Sequence, residues 1–166
     1  MHIITRKIEI DAGHRIAEHD SKCRNLHGHR YVIEATISGD LIQTGSEAGM
    51  VKDFGYLKSV MMAEIDDVFD HTLILSIDDP IITNIAPSGT SGAIRTKFDE
   101  DHYSYYEVQG LDATRVILIK PPPTAENLAA IWFHILRTPL MILRAVLVSI
   151  KVFETPNCWA VYTPGS

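Results

Sequence analysis

Three histidines and a cysteine carry the clearest chemical signal in this chain. In the run Cys23-Arg24-Asn25-Leu26-His27-Gly28-His29 two imidazoles are separated by one glycine, and on an extended backbone residues i and i+2 project to the same side. His27 and His29 can therefore face one cation, with Gly28 leaving no side chain between them. His14 follows a β-prone stretch and could supply a third nitrogen. Neutral imidazoles suit borderline-soft ions, and three of them with one position left open is the donor set of a catalytic Zn²⁺. Cys23 would then be a thiol beside a metal, suited to acid–base work. A second arrangement fits the same spacing, with Cys23 as the fourth ligand of a closed Cys-His₃ zinc that only stabilises the fold. An isolated His-x-His is more often a solvated pair than a ligand pair, so the motif needs its neighbours.

Two further groups are candidates. Asp70-His71 falls at the end of an expected helix, where the carbonyl dipole favours imidazolium, and a protonated His71 could lower the pKa of a nearby thiol. Taken alone, such a pair is more often a helix-end salt link or a hydrogen-bonded surface pair than a catalytic element. Glu154 continues the register of Val146, Val148, Ile150 and Val152, so a carboxylate ends an otherwise apolar strand face. Either the strand has reached solvent there, or the carboxylate awaits a partner such as the paired N–H groups of a heterocycle. His2, His19, His102 and His134 share no spacing that suggests a common site.

The elements that must position these residues follow from periodicity. Ile3 to Ala12 reads as a strand, and Tyr31 to Ser38 more clearly so, with Tyr31, Ile33, Ala35 and Ile37 on one face. Asp53 is a suitable N-cap for a helix whose apolar positions Phe54, Leu57, Met61, Ile65, Val68 and Phe69 step by three and four and which ends near Asp70. A second helix begins after Pro121-Pro122-Pro123, with Thr124 as N-cap and Leu128, Ile131, Trp132, Ile135 and Leu136 as its buried stripe, limited by Pro139. Two closing strands, one through Val152 and one from Trp159 to Tyr162, flank a turn at Thr155-Pro156-Asn157. The order ββααββ favours an α+β fold with an antiparallel sheet and both helices on one face. Between Ile77 and Arg115 no periodicity persists, and the segment, with its Asp99-Glu100-Asp101-His102 cluster, reads as a long loop or a poorly specified hairpin.

Bulk properties narrow the function. A chain of 166 residues fits one domain, 1–166, with the 77–115 stretch as an insertion. Net charge is −6 with no basic run, which argues against nucleic acid but leaves room for a small anionic substrate. No apolar stretch reaches the length of a membrane span, and the first eleven residues carry Arg6, Lys7, Glu9 and Asp11, so a cytoplasmic protein is expected. Two cysteines, Cys23 and Cys158, are too few for a disulfide framework.

Taken together, Ala12-Gly13-His14-Arg15, Cys23-x₃-His27-Gly28-His29, Asp53-Phe54, Asp70-His71, Pro123-Thr124-Ala125-Glu126-Asn127 and Glu154-Thr155 resemble the family of 6-pyruvoyltetrahydropterin and 6-carboxytetrahydropterin synthases, in the family's order. The three residues between Cys23 and His27 are similar to the carboxy branch, which feeds queuosine and other 7-deazaguanine pathways; the pyruvoyl branch usually has a longer gap. The resemblance implies the tunnelling fold (T-fold), a four-stranded antiparallel sheet with two helices that assembles into a ring-shaped homo-oligomer, a hexamer, with active sites between subunits. It implies Zn²⁺ on His14, His27 and His29, Cys23 as base, Asp70 and His71 as a supporting pair, Glu154 as the pterin anchor, and Thr124 and Glu126 lining the pterin pocket. It further implies a lyase acting on 7,8-dihydroneopterin triphosphate. The 77–115 segment departs from the pattern, being longer than the family core needs.

Overall fold

A computed structural model describes all residues except 98–102, 143–145 and 166. The acidic Asp99–His102 cluster lies outside the described residues. Two long strands, β1 (His2–His14) and β2 (His27–Gly39), form the spine, antiparallel in a register that runs from His2 opposite Gly39 to His14 opposite His27. Their alternation sends Ile8, Ile10 and Ala12 of β1 and Tyr31, Ile33, Ala35 and Ile37 of β2 to the same buried face. The charged residues between them face away. Burying each large aliphatic side chain in such a face contributes about 1.5–3 kcal/mol, so a one-residue slip of this register is strongly disfavoured.

Asp53 caps the first helix, α1 (Phe54–Met61), accepting hydrogen bonds from Gly55 and Tyr56 N–H at 2.6 and 3.1 Å. The helix widens into a π-turn over Met62–Asp66 and closes with one α turn, α2 (Asp67–Phe69), whose C-cap is Asp70. Leu57, Met61, Ile65, Val68 and Phe69 are buried as their spacing requires, whereas Phe54 is exposed, being the first helical residue and outside the stripe. The long helix α4 (Ala125–Ile142) packs Leu128, Ile131, Trp132, Ile135 and Leu136 on the same side of the sheet. Pro139 does not limit it: the helix continues through the proline to Ile142, and Leu140 in that turn is itself buried.

The sheet has eight strands rather than four, in the order β4-β5-β6-β3-β1-β2-β7-β8. The expected antiparallel part is present: β7 (Val146–Thr155) pairs with β2, and β8 (Cys158–Tyr162) returns from it as a hairpin. Beyond β1, β3 (Thr72–Ser76) and β6 (Arg115–Ile119) run parallel to it, and β4 (Ala93–Lys97) and β5 (Tyr105–Gln109) continue antiparallel. The segment expected as loop or hairpin thus widens the sheet. A short helix, α3 (Ile82–Ile85), covers the opposite face there, closing a small second core of Leu75, Ile82, Ala86, Val108, Val116 and Leu118. Because β3 and β6 are covered on both sides, they read as continuous apolar runs without alternation.

One register expectation also changes. A bulge shifts the β2–β7 pairing between Thr36 and Ile37, so Leu147 is buried and Val146 is exposed, while Ile150 and Val152 keep the inward face. Among the described residues no helix is long and apolar enough to cross a membrane.

Candidate active site

The buried faces of β1 and β2 end in histidines. His14 continues the inward alternation of Ile8, Ile10 and Ala12, and His27 and His29 continue that of Tyr31 and Ile33, so the antiparallel pairing brings all three together. Their ring centroids are 4.5 Å apart for His14–His27 and 5.1 Å for each other pair. One ligand nitrogen from each lies within 4.8 Å of the others. Gly13 and Gly28, directly opposite one another, allow this approach: a Cβ on Gly28 would stand 3.0 Å from the carbonyl oxygen of Ala12.

Backbone carbonyls set the tautomers. His14 Nδ1–H donates to the Pro123 carbonyl at 2.7 Å, and His27 Nδ1–H donates to the Asn25 carbonyl at 2.8 Å. In each ring that leaves the Nε2 lone pair available. His14 Nε2 is buried and without a hydrogen-bond partner, a costly arrangement unless a cation takes the lone pair. Burial pushes the His14 pKa down to about 4, against the opposing Pro123 hydrogen bond and with His27 and His29 adding to the effect. His29 is lowered as well, first by burial, with Glu154 opposing. Neutral imidazoles at neutral pH are what metal binding requires. The donor set and the orphaned nitrogen both fit a metal ion.

Glu154 follows Ile150 and Val152 on the inward face of β7, at an irregularity in the β7–β8 pairing, and its Oε1 is 4.0 Å from His14 Nε2. Its carboxylate is 27% exposed, so it belongs to the rim of the histidine cluster rather than to bulk solvent. Tyr31 was legible only as a strand residue, yet its ring stands 5.8 and 5.5 Å from those of His14 and His29, and its hydroxyl is buried without a partner. Burial, with Glu154 adding, raises its pKa and keeps it protonated. The alternation from His29 to Tyr31 was the available signal.

The other candidates are distributed around this cluster. Cys23 sits half-buried in a 3-10 turn (Lys22–Arg24), where its carbonyl accepts from Ile16 N–H at 2.8 Å and so ties the turn to the segment following His14. It is not a member of the metal-competent histidine group. Thr124 caps α4 through a 3.4 Å hydrogen bond from Asn127 N–H, next to the Pro123 carbonyl that holds His14. Glu126 is exposed in the first turn of α4.

Asp70 and His71 lie beside β1. Asp70 Oδ1 accepts from Asp11 N–H at 2.8 Å, and Oδ2 accepts from His71 Nδ1 at 2.5 Å. That hydrogen bond, reinforced by the Asp70 charge, holds the His71 pKa above its ordinary value. The His71 side chain is 77% exposed. It borders an open pocket with Asp11, Gly13, Gly28, His29 and Arg30. Among the described residues no hydrogen bond or ion pair joins Asp70 or His71 to Cys23. Asp11 and Arg30, which sequence reasoning did not select, form a bidentate pair at 3.0 and 2.8 Å beside them.

An α+β sheet whose central strands end in a histidine triad able to hold a metal ion, with a carboxylate at its rim, defines the class: a sheet fold with a candidate metal centre. The 6-pyruvoyl tetrahydropterin synthase family model matches residues 3–165. A 6-carboxy-5,6,7,8-tetrahydropterin synthase of Rickettsia bellii is 39% identical over 156 residues, 93% of this chain and 95% of that protein, and the one from Rickettsia conorii is 35% identical over the same shares. Among solved structures, an uncharacterized protein of Wolinella succinogenes superposes with a TM-score of 0.79 at 24% identity, covering 99% of this chain and 98% of the other. The Caenorhabditis elegans 6-pyruvoyl tetrahydropterin synthase does so with a TM-score of 0.62 at 22% identity, covering 99% and 98%; these two likenesses concern the fold. The chain belongs to the 6-pyruvoyl tetrahydropterin synthase family and is an enzyme of the lyase class.

Proposed function

We propose that this chain converts 7,8-dihydroneopterin triphosphate and one water to 6-carboxy-5,6,7,8-tetrahydropterin, releasing triphosphate and acetaldehyde, with Zn²⁺ held by His14, His27 and His29. The observation that carries the reading is the buried, unpartnered Nε2 of His14 inside a cluster of three imidazoles. The short Cys23-to-His27 spacing and the names of the Rickettsia relatives favour the carboxy product over the pyruvoyl one.

When bound, the zinc ion would supply Lewis acidity toward the oxygens of the substrate side chain. The chain's own residues do the rest. Glu154, at the rim of the cluster, accepts two N–H donors from the pterin edge and fixes the ring. Thr124, beside Pro123, borders the ring, with Glu126 at the outer edge. Cys23, as thiolate, removes a carbon-bound proton from the side chain, which lets triphosphate depart. His71, kept protonated by Asp70, returns protons. The missing contact between Cys23 and His71 within one chain, and the exposure of His71, support a site completed by a neighbouring copy in a homo-oligomer.

Incubating the zinc-loaded protein with dihydroneopterin triphosphate and analysing the products tests this directly. A carboxypterin with acetaldehyde is expected. A pyruvoyl pterin would transfer the chain to the sister activity, and absence of turnover would leave a zinc-stabilised binding module. Mixing inactive Cys23→Ala and His71→Gln proteins tests the shared site, since only an intersubunit arrangement regains activity.

A further inference from the structure

The helix that delivers Asp70 and His71 ends against a side chain from the 77–119 region. Arg115, the first residue of β6, donates from Nη2 to the carbonyls of Asp67 (3.1 Å) and Val68 (3.0 Å), and from Nη1 to that of Asp70 (3.4 Å). Its Nε donates to Glu107 Oε1 at 3.0 Å, and Glu107, buried on β5, also faces Arg95 at 3.5 Å. The last carbonyls of a helix have no partners within it, and a cation there complements the dipole. Three acceptors splayed around a helix end match the planar donor fork of a guanidinium and exceed what an ammonium reaches.

The residue after this brace is strained. His71 has φ 54°, the left-handed region that side chains other than glycine disfavour. Such a conformation persists where its surroundings over-determine it, and it is common at functional positions. Here the clamps are His71 N–H to the Asp11 carbonyl at 2.7 Å, Asp70 N–H to the Asp66 carbonyl at 3.0 Å, Asp70 Oδ1 on Asp11 N–H, and the Arg115 fork. Only with the Asp70 peptide held can its two carboxylate oxygens serve Asp11 N–H and His71 Nδ1 together.

We propose that Arg115, anchored by Glu107, is a positioning residue that fixes the Asp70–His71 pair, so that β5 and β6 act as a rigid buttress for catalysis. The proposal rests on the reading that Asp70 and His71 take part in the reaction. It gives the widened half of the sheet a task that a loop covering the site could not perform, since β5 and β6 are paired along their length.

The test is an NMR titration of the His71 imidazole in the whole, zinc-loaded protein, assigned with His71→Gln, in the native chain, Arg115→Gln and Arg115→Lys. Loss of a nearby cation alone would push the His71 pKa up. Loss of the Asp70 geometry would bring it down, because Asp70 is what raises it, with Asp11 and Asp66 the other acids facing the ring. A downward shift in Arg115→Gln is expected, partly recovered in Arg115→Lys, together with a fall in kcat on the order of tenfold or more at unchanged KM and zinc content. An unmoved or upward titration overturns the proposal, whatever kcat does. Should Arg115→Gln not fold, the same criterion applies to Arg115→Lys. The titration needs no turnover, so failure of the proposed reaction and failure of the brace are read separately.

Discussion

Gly13 and Gly28 form a cross-strand pair between the histidines of the triad, yet they should respond unequally to the same substitution. In Gly28→Ala the new methyl stands 3.0 Å from the Ala12 carbonyl oxygen and 3.5 Å from Gly13 Cα, all backbone of β1. Ordinary C···O approaches are about 3.3–3.6 Å, so the strands must part by a few tenths of an ångström at the point where His14 faces His27. Overpacking of this kind costs about 1–3 kcal/mol, or roughly 2–12 °C in Tm for a domain of this size. Displacing ligands or their supports weakens metal sites by about 10- to 100-fold. In Gly13→Ala the nearest atom is Leu73 Cδ1 at 3.3 Å, the tip of a rotatable side chain. Since alanine is also preferred to glycine inside a strand by about 0.5–1 kcal/mol, that variant should be close to neutral. Thermal melts of the metal-free proteins and zinc competition with a chromophoric chelator measure both effects. Equal losses in the two variants, or unchanged zinc affinity in Gly28→Ala, would refute the argument that strand approach builds the site.

Further outcomes follow from the same geometry. Cys23→Ala should keep its zinc and lose turnover, whereas His27→Ala should lose both; metal analysis of the purified proteins distinguishes a base from a fourth ligand. In the metal-free protein His14 is held neutral down to about pH 4 against 6.5 in the unfolded chain. Its folded pKa is depressed, so the unfolded chain takes up the proton first: stability is full above pH 6.5 and declines by roughly 3 kcal/mol as pH falls toward 4. Urea unfolding across that range should show the slope in the native chain and a reduced one in His14→Gln. Asp53→Ala removes two capping hydrogen bonds from α1 and should cost about 1 kcal/mol without changing zinc content.

Alternation and spacing made much of this molecule legible in one dimension. A period of two over Ile8–Ala12 and Tyr31–Ile37 declared the inward face of β1 and β2, and the same period carried His14, His27 and His29 onto it, because side-chain direction in a strand is a local property. The caps at Asp53 and Thr124 and the stripes of α1 and α4 were likewise written locally. Tertiary structure alone decided the rest. β3 and β6 are buried on both faces, which erases the alternation that identifies a strand, so two of the eight strands lay hidden in Leu73–Leu75 and Val116–Ile119. The bulge opposite Thr36 moved Val146 outward through pairing with a distant strand. The Pro123 carbonyl that orients His14, 109 residues away, and the Arg115 fork on Asp67, Val68 and Asp70 are contacts between backbone oxygens and remote side chains. Every residue offers such an oxygen, so only the fold selects which ones are used.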